Sequence, residues 1–245
     1  DATTAQTQYM LKNYSFTELA QLLESSLAAQ GDIPEAPYFL QRSLEFPYTE
    51  GAAFVAILIQ MGGFAAVDAV FNDLPRSTEQ VLHPEKYLDK EEPTTLDIPD
   101  DAMGAEWSVQ NEDVLGEFFL RTWLEALGPY GAATAAAGWA GDAYAVFENS
   151  SDDFAVVILI AWDDDSDASE FFEIAAEVLD ANEDFVSSGI GISGVLRSWE
   201  GSGGFVTVGR QKTALNGEVI TIAVAPGAGD SVSLATTITG TGIGG

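Results

Sequence analysis

The one imidazole of the sequence, His83, sits in the run Leu82-His83-Pro84-Glu85, and Glu79, Glu85 and Glu50 are the carboxylates that could join it in metal or acid–base chemistry. Pro84 forces the residue before it away from helical geometry, so the ring is placed at a rigid corner. One histidine with scattered carboxylates is a poor zinc set. The chain also has no cysteine, so thiol nucleophiles, disulfides, iron–sulfur ligation and multi-histidine zinc sites are excluded by inventory. A structural corner is therefore expected, the ring bonding a backbone carbonyl or a carboxylate, with metal or acid–base duty as the sharper alternative. Glu50, on an otherwise apolar helix, needs a cationic partner, and Arg42 or Arg76 can supply one.

Two aspartate runs, Asp152-Asp153 and Asp163-Asp164-Asp165-Ser166-Asp167, offer hard oxygen ligands, but neither follows the EF-hand order. Solvated acidic loops are expected there, with weak calcium binding as the alternative. Gly201-Ser202-Gly203-Gly204 lacks a phosphate-binding lysine and precedes a strand rather than a helix, which argues against a phosphate cradle. No complete catalytic site and no cofactor follow from these residues.

The elements that must position them change character along the chain. Tyr9, Met10, Tyr14, Phe16, Leu19, Leu22, Leu23 and Leu27 mostly recur at helical spacing, predicting two helices between Thr3 and Ala29, the second capped by Ser15 or Thr17. Gly31, Pro34 and Pro37 make a break. Tyr38 to Leu44 is then a short amphipathic turn, Thr49 to Met61 an apolar helix stopped by Gly62-Gly63, and Phe64 to Phe71 a further helix. Prolines 75, 84, 93 and 99 interrupt every period between Leu74 and Pro99, predicting an ordered connector with one helical turn at Thr78 to Leu82. Helices are expected over Glu112 to Leu127 and Ala132 to Gly138.

After Trp139 the period shifts from 3.6 to 2. Ala143 to Glu148 and Phe154 to Trp162 read as a hairpin, Asp163 to Leu179 as a helix with an acidic start, and Phe205 to Arg210 with Glu218 to Val224 as a second hairpin turning near Asn216-Gly217. The predicted fold is α+β: a helical part over 1–74, a proline-rich connector over 75–104, and an α+β domain over 105–230 whose antiparallel sheet of hairpins carries helices on one face. A glycine-rich tail follows over 231–245. In it Val232, Leu234, Thr236 and Ile238 alternate, predicting a strand added to a sheet edge of the same or an adjacent subunit.

Thirty-nine acidic residues against nine basic ones give a net charge of −30. Such a field repels nucleic acid and anionic membrane surfaces, and it suits a salt-tolerant or halophilic, extracytoplasmic setting. No apolar run reaches the length of a membrane span, about 18 residues, so none is expected. A chain opening Asp1-Ala2-Thr3-Thr4 carries no signal peptide, so it is expected to be processed or part of a longer product, with a lipid anchor upstream as one arrangement.

Several strings together carry a resemblance: Phe46-Pro47-Tyr48-Thr49-Glu50-Gly51-Ala52-Ala53-Phe54-Val55, Arg76-Ser77-Thr78-Glu79-Gln80-Val81-Leu82-His83-Pro84-Glu85-Lys86-Tyr87, Leu115-Gly116-Glu117 and Gly138-Trp139-Ala140-Gly141-Asp142. They resemble the C-terminal part of a family of bacterial extracytoplasmic, lipoprotein-like, zincin-type metallopeptidases, over roughly residues 1 to 225. The resemblance implies an upstream helix bearing the His-Glu-x-x-His zinc ligands. This sequence holds neither those histidines nor their glutamate, so no zinc ligand carries over. Two functions are expected on these grounds. The first is a non-catalytic envelope or assembly subunit derived from that family, self-associating or seated in a larger complex. The alternative is the C-terminal lobe of a zinc metallopeptidase whose catalytic helix lies before residue 1, in which case zinc comes only with upstream ligands.

Overall fold

A computed structural model describes residues 2–29, 36–128, 130–213 and 217–237, excluding the side chains of 23–29. The break at Gly31 and Pro34, the Asn216 corner and the glycine-rich end from Ile238 onward lie outside the described residues. The chain divides into two compact units, residues 1–76 with 80–91 and residues 77–79 with 92–245. No helix among the described residues is long and apolar enough to cross a membrane.

The first unit is helical. It contains α1 (Ala2–Asn13), α2 (Phe16–Ala29), α3 (Tyr38–Glu45), α4 (Glu50–Gly62), α5 (Phe64–Val70), the end of α6 (Thr78–Leu82) and α7 (Pro84–Leu88). The cap predicted at Ser15 is present as a reciprocal pair: Ser15 N donates to the Glu18 carboxylate at 2.8 Å while Glu18 N donates to Ser15 Oγ at 3.4 Å. Gly63 terminates α4 with φ +67°, a conformation that disfavours any side chain. The connector holds two helical turns rather than the single one expected, because Pro84 opens α7 at its first position, where no amide is needed. The core of this unit is small. Phe54, Leu58, Val67 and Tyr87 are buried, with the Phe54 and Tyr87 rings edge-to-face at 5.3 Å.

The second unit is a seven-stranded, fully antiparallel sheet with helices, as the α+β assignment requires. Its elements are β1 (Trp107–Asp113), α8 (Glu117–Leu127), α9 (Ala132–Ala136), β2 (Trp139–Asn149), β3 (Phe154–Trp162), α10 (Asp165–Ala181), β4 (Phe185–Ile192), β5 (Leu196–Gly201), β6 (Gly204–Thr213), β7 (Gly217–Ala225) and α11 (Ala228–Thr237). The strand order is β1-β2-β3-β7-β6-β5-β4. Both predicted hairpins are there, β2 with β3 and β6 with β7, and they meet along β3 and β7.

Alternation along β3 shows how the sheet is buried. Ile160 and Trp162 enter one core with Leu120, Leu124, Phe171, Phe172 and Leu179 of α8 and α10. Ala155, Val157, Leu159 and Ala161 enter a second core on the opposite face with Leu96, Ile98, Leu234 and Ala235. Helices on one face only is therefore incorrect. The second face is closed by α11 and by residues 94–103, which belong to the sheet unit rather than to a spacer between domains. Thr94 N donates to Ala140 O at 2.7 Å, and a Cβ on Gly141 would lie 2.1 Å from Thr94 O, so only glycine admits this strap against β2.

Two further expectations are corrected. Residues 107–113 form β1, and the helix begins only at Glu117, since Gly116 (φ +80°) turns the chain between them. The segment 231–237 is the end of helix α11, not an added strand: Ser231, Leu234 and Ala235 are its buried residues, a helical period, and it lies on β6 and β7. Gly201 to Gly204 is a tight turn in which Gly201 pairs with Gly204 between β5 and β6.

Candidate functional site

The residues singled out around His83 are distributed between the units. His83 is the cap residue before α7, with Nδ1 3.9 Å from Glu85 Oε1, so these two come together on one turn of the helical unit. Glu50, at the start of α4, accepts from Arg42 Nη2 at 2.9 Å and from the Thr49 hydroxyl, so the cation is Arg42. Burial works to raise the Glu50 pKa, but the bonds from Thr49 and Arg42 outweigh it and hold the carboxyl below its ordinary range. Glu79 is buried and belongs to the sheet unit. Elemental analysis after dialysis is expected to find no stoichiometric zinc in this chain, since one imidazole and no thiolate make a poor tetrahedral set. A tightly held zinc ion lost on His83→Ala would reverse that expectation and favour the peptidase alternative.

The second aspartate run marks the corner between β3 and α10. Asp163, Asp164 and Asp165 line a solvent-open notch of about 750 Å³ together with Thr94, Ala161, Trp162, Ser166 and Gly217. Asp164 and Asp165 hold the fold together here. Asp164 caps α10, accepting from Ser166 N at 2.7 Å and Asp167 N at 3.0 Å. Asp165 accepts from Lys212 Nζ at 2.5 Å and Glu218 N at 2.9 Å, fastening α10 to the β6–β7 hairpin, and the bond from Lys212 foremost holds its pKa down. Asp167 moves the other way, raised by partial burial and then by the charges of Asp164 and Asp163. The notch is thus an acidic helix start that organises a corner. The other run, Asp152-Asp153, sits in the β2–β3 turn, where Asp153 accepts from Asn149 Nδ2 at 3.0 Å.

A buried carboxylate of the sheet unit is Asp142, the fourth residue of β2 and 2% exposed. It accepts from Leu115 N and Gly116 N, both at 2.8 Å, and from Trp139 Nε1 at 3.0 Å. Burial raises its pKa in spite of those three donors. It fastens the turn that leads into α8 onto the sheet. It was not among the expected site residues. The available signal was a carboxylate in a largely apolar strand, directly after a bulge at Gly141. A second polar cluster, Thr207 Oγ1 with Ser198 Oγ at 3.0 Å and Ser231 Oγ at 2.9 Å, is buried between the sheet and α11. The one imidazole of the chain, His83, belongs to the helical unit.

Surface, rather than cleft, is where the helical unit is unusual. α1 and α3 bury no residue. Phe16 is 88% exposed, Leu44 72%, Leu11 67%, and Tyr48, Met61 and Phe71 also stand in solvent.

A family model described as a domain of unknown function (DUF8575) matches residues 106–234, just over half of the chain and most of the sheet unit. No curated protein and no solved structure matches the chain.

Proposed function

This chain belongs to the DUF8575 family of domains of unknown function, and from the side chains it exposes we propose that it is a non-catalytic assembly subunit of an extracytoplasmic envelope, docking through its helical unit. One observation carries the proposal: among the described residues, a helical unit with four buried large side chains in its core leaves phenylalanine, leucine, tyrosine and methionine side chains in water along α1 to α5. Exposed apolar side chains gain free energy when a partner covers them, at about 25 cal/mol per Å² removed from water.

Charge points to the same unit. The helical unit has twelve of the 39 acidic residues and five of the nine basic ones, so its net charge is far smaller than that of the sheet unit. Two acidic molecules approach most easily there. The extracytoplasmic, salt-rich setting is supported by the net charge of −30, and the envelope role by the sequence resemblance to lipoprotein-like proteins.

Light scattering on the full chain in about 2 M NaCl, where the Debye length is below about 3 Å, tests this. The expected mass is a multiple of 26.0 kDa. The double variant Leu11→Glu/Phe16→Glu changes only well-exposed positions and is expected to weaken association at least tenfold with an unchanged circular dichroism spectrum. A wild-type chain that stays monomeric at every concentration, or a double variant of unchanged mass, defeats the proposal.

A further inference from the structure

We propose that the edge strand β4 pairs antiparallel with β4 of a second copy of this chain, about a twofold axis near Gly189. This rests on the chain being an assembly subunit, but not on which face of the helical unit docks.

The sheet ends in two edges, β1 and β4, and an unprotected edge strand presents backbone donors and acceptors that another strand can use. The two edges are treated differently by the sequence. β1 finishes on Glu112-Asp113, both exposed, so a second acidic molecule meets carboxylates there. The run from Phe185 to Leu196, which holds all of β4 and the turn after it, contains no charged residue. In a chain of net charge −30, two copies can approach along such a strip without bringing carboxylates face to face. Val186, Ile190, Ile192 and Val195 are exposed on it, so pairing would also cover apolar side chains.

The geometry of the strand favours a symmetric contact. β4 pairs with β5 at Phe185 to Ser187 and again at Gly191 and Ile192, with Ser188 to Ile190 bulged out between. Ser188 Oγ holds the bulge, donating to Ser198 O at 2.9 Å and accepting from Ile190 N at 3.2 Å. Gly189 has φ +74° with no atom within 4 Å of where a Cβ would stand, so the centre of the bulge is open. A twofold axis there lays residues 185–187 of one copy beside 191–193 of the other and sets Val186 across from the partner copy's Ile192. One surface patch then serves both copies, the arrangement of an isologous dimer. The uncharged strip selects a like copy over a basic partner, which the carboxylates elsewhere on the sheet unit would draw away from this edge.

The chain lacks cysteine, so a single introduced thiol reports the contact without background. Ile190→Cys, treated with a short thiol–thiol crosslinker in about 2 M NaCl, is expected to give a covalent dimer. Val114→Cys, an exposed position just past β1, is expected to give none. In the cysteine-free chain, Val186→Glu/Ile192→Glu is expected to weaken association at least tenfold, because it sets four carboxylates across the axis. If the wild-type chain is multimeric yet Ile190→Cys does not crosslink, or both thiols crosslink equally, β4 is not the contact, whereas assembly still stands. If a short uncharged peptide, rather than a second copy, protects Ile190→Cys from the crosslinker, the second-copy proposal is also overturned. A chain that is monomeric throughout overturns both proposals.

Discussion

Asp142→Ala is expected to lower the stability of the sheet unit by about 3 kcal/mol or more, because it leaves two buried donors and a part-buried one without an acceptor and each buried group costs about 1–3 kcal/mol. The donors are Leu115 N, Gly116 N and Trp139 Nε1. With a shift of about 2–4 °C per kcal/mol in a domain of this size, the melting temperature should fall by roughly 6–12 °C or more. A loss under about 1 kcal/mol would mean that water or a rearranged turn replaces the carboxylate. Asp142→Asn keeps the size of the side chain and one oxygen acceptor, and is expected to cost less.

The pH dependence separates this group from the other carboxylates. Burial raises the Asp142 pKa in the folded chain, so the folded state holds the proton more tightly than the unfolded one. Its contribution is therefore complete below the unfolded value of about 3.9 and is lost as pH rises through the folded pKa. The stability gap between wild type and Asp142→Asn should accordingly shrink as pH rises from about 4. Glu50, Asp165 and Asp180 have the opposite sign: their folded pKa values are lowered, so their contribution is present above their unfolded values and is lost on acidification. For Asp180, burial opposes that lowering but is outweighed by Trp199 Nε1 at 2.8 Å and Arg197 Nη2 at 2.5 Å.

Salt is expected to be the other large effect. The sheet unit carries 27 acidic residues against four basic ones. All four are already engaged, Arg121 with Glu125, Arg197 with Asp180, Arg210 with Glu218 and Lys212 with Asp165. Like charges about 10 Å apart repel by about 0.4 kcal/mol in water, so a dozen such pairs amount to roughly 5 kcal/mol when unscreened. At 0.1 M salt the Debye length of about 10 Å already cuts this repulsion to roughly a third, about 2 kcal/mol, and at 1 M, where the length is about 3 Å, almost all of that remainder should vanish. The melting temperature should rise by roughly 4–8 °C between 0.1 and 1 M NaCl. Chloride is the anion to use, since sulfate also strengthens apolar burial. A melting temperature that does not move over this interval would show that the carboxylates are spaced too widely to repel.

Local chemistry made much of this legible. The Ser15 cap, the stop at Gly62-Gly63, the hairpin around Asn149 and the acidic start of α10 each follow from neighbours within a few residues, where propensity and capping act alone. The pairing of Glu50 with Arg42 was one of two options, and eight residues of helix and turn were enough to bring them together. Where the signal was long-range, the sequence was silent or misleading. β1 is polar and β4 is rich in glycine and serine, so neither shows a strand pattern; both are strands because a neighbour supplies their hydrogen bonds. Residues 231–237 alternate like a strand but are helical, because Ser231, Leu234 and Ala235 bury together on β6 and β7.

The inventory of chemistry was settled by sequence alone: with one histidine and no cysteine, a single chain builds no thiol or multi-histidine site, and a net charge of −30 sets its response to salt. What only the tertiary structure decided is where the carboxylates stand. Asp142 and Asp163 are equally acidic in sequence, yet one is enclosed by three donors in the sheet and the other lines an open notch. For Asp142, burial and donors 26 and 27 positions away, together with the nearby Trp139, set its structural role, not residue type.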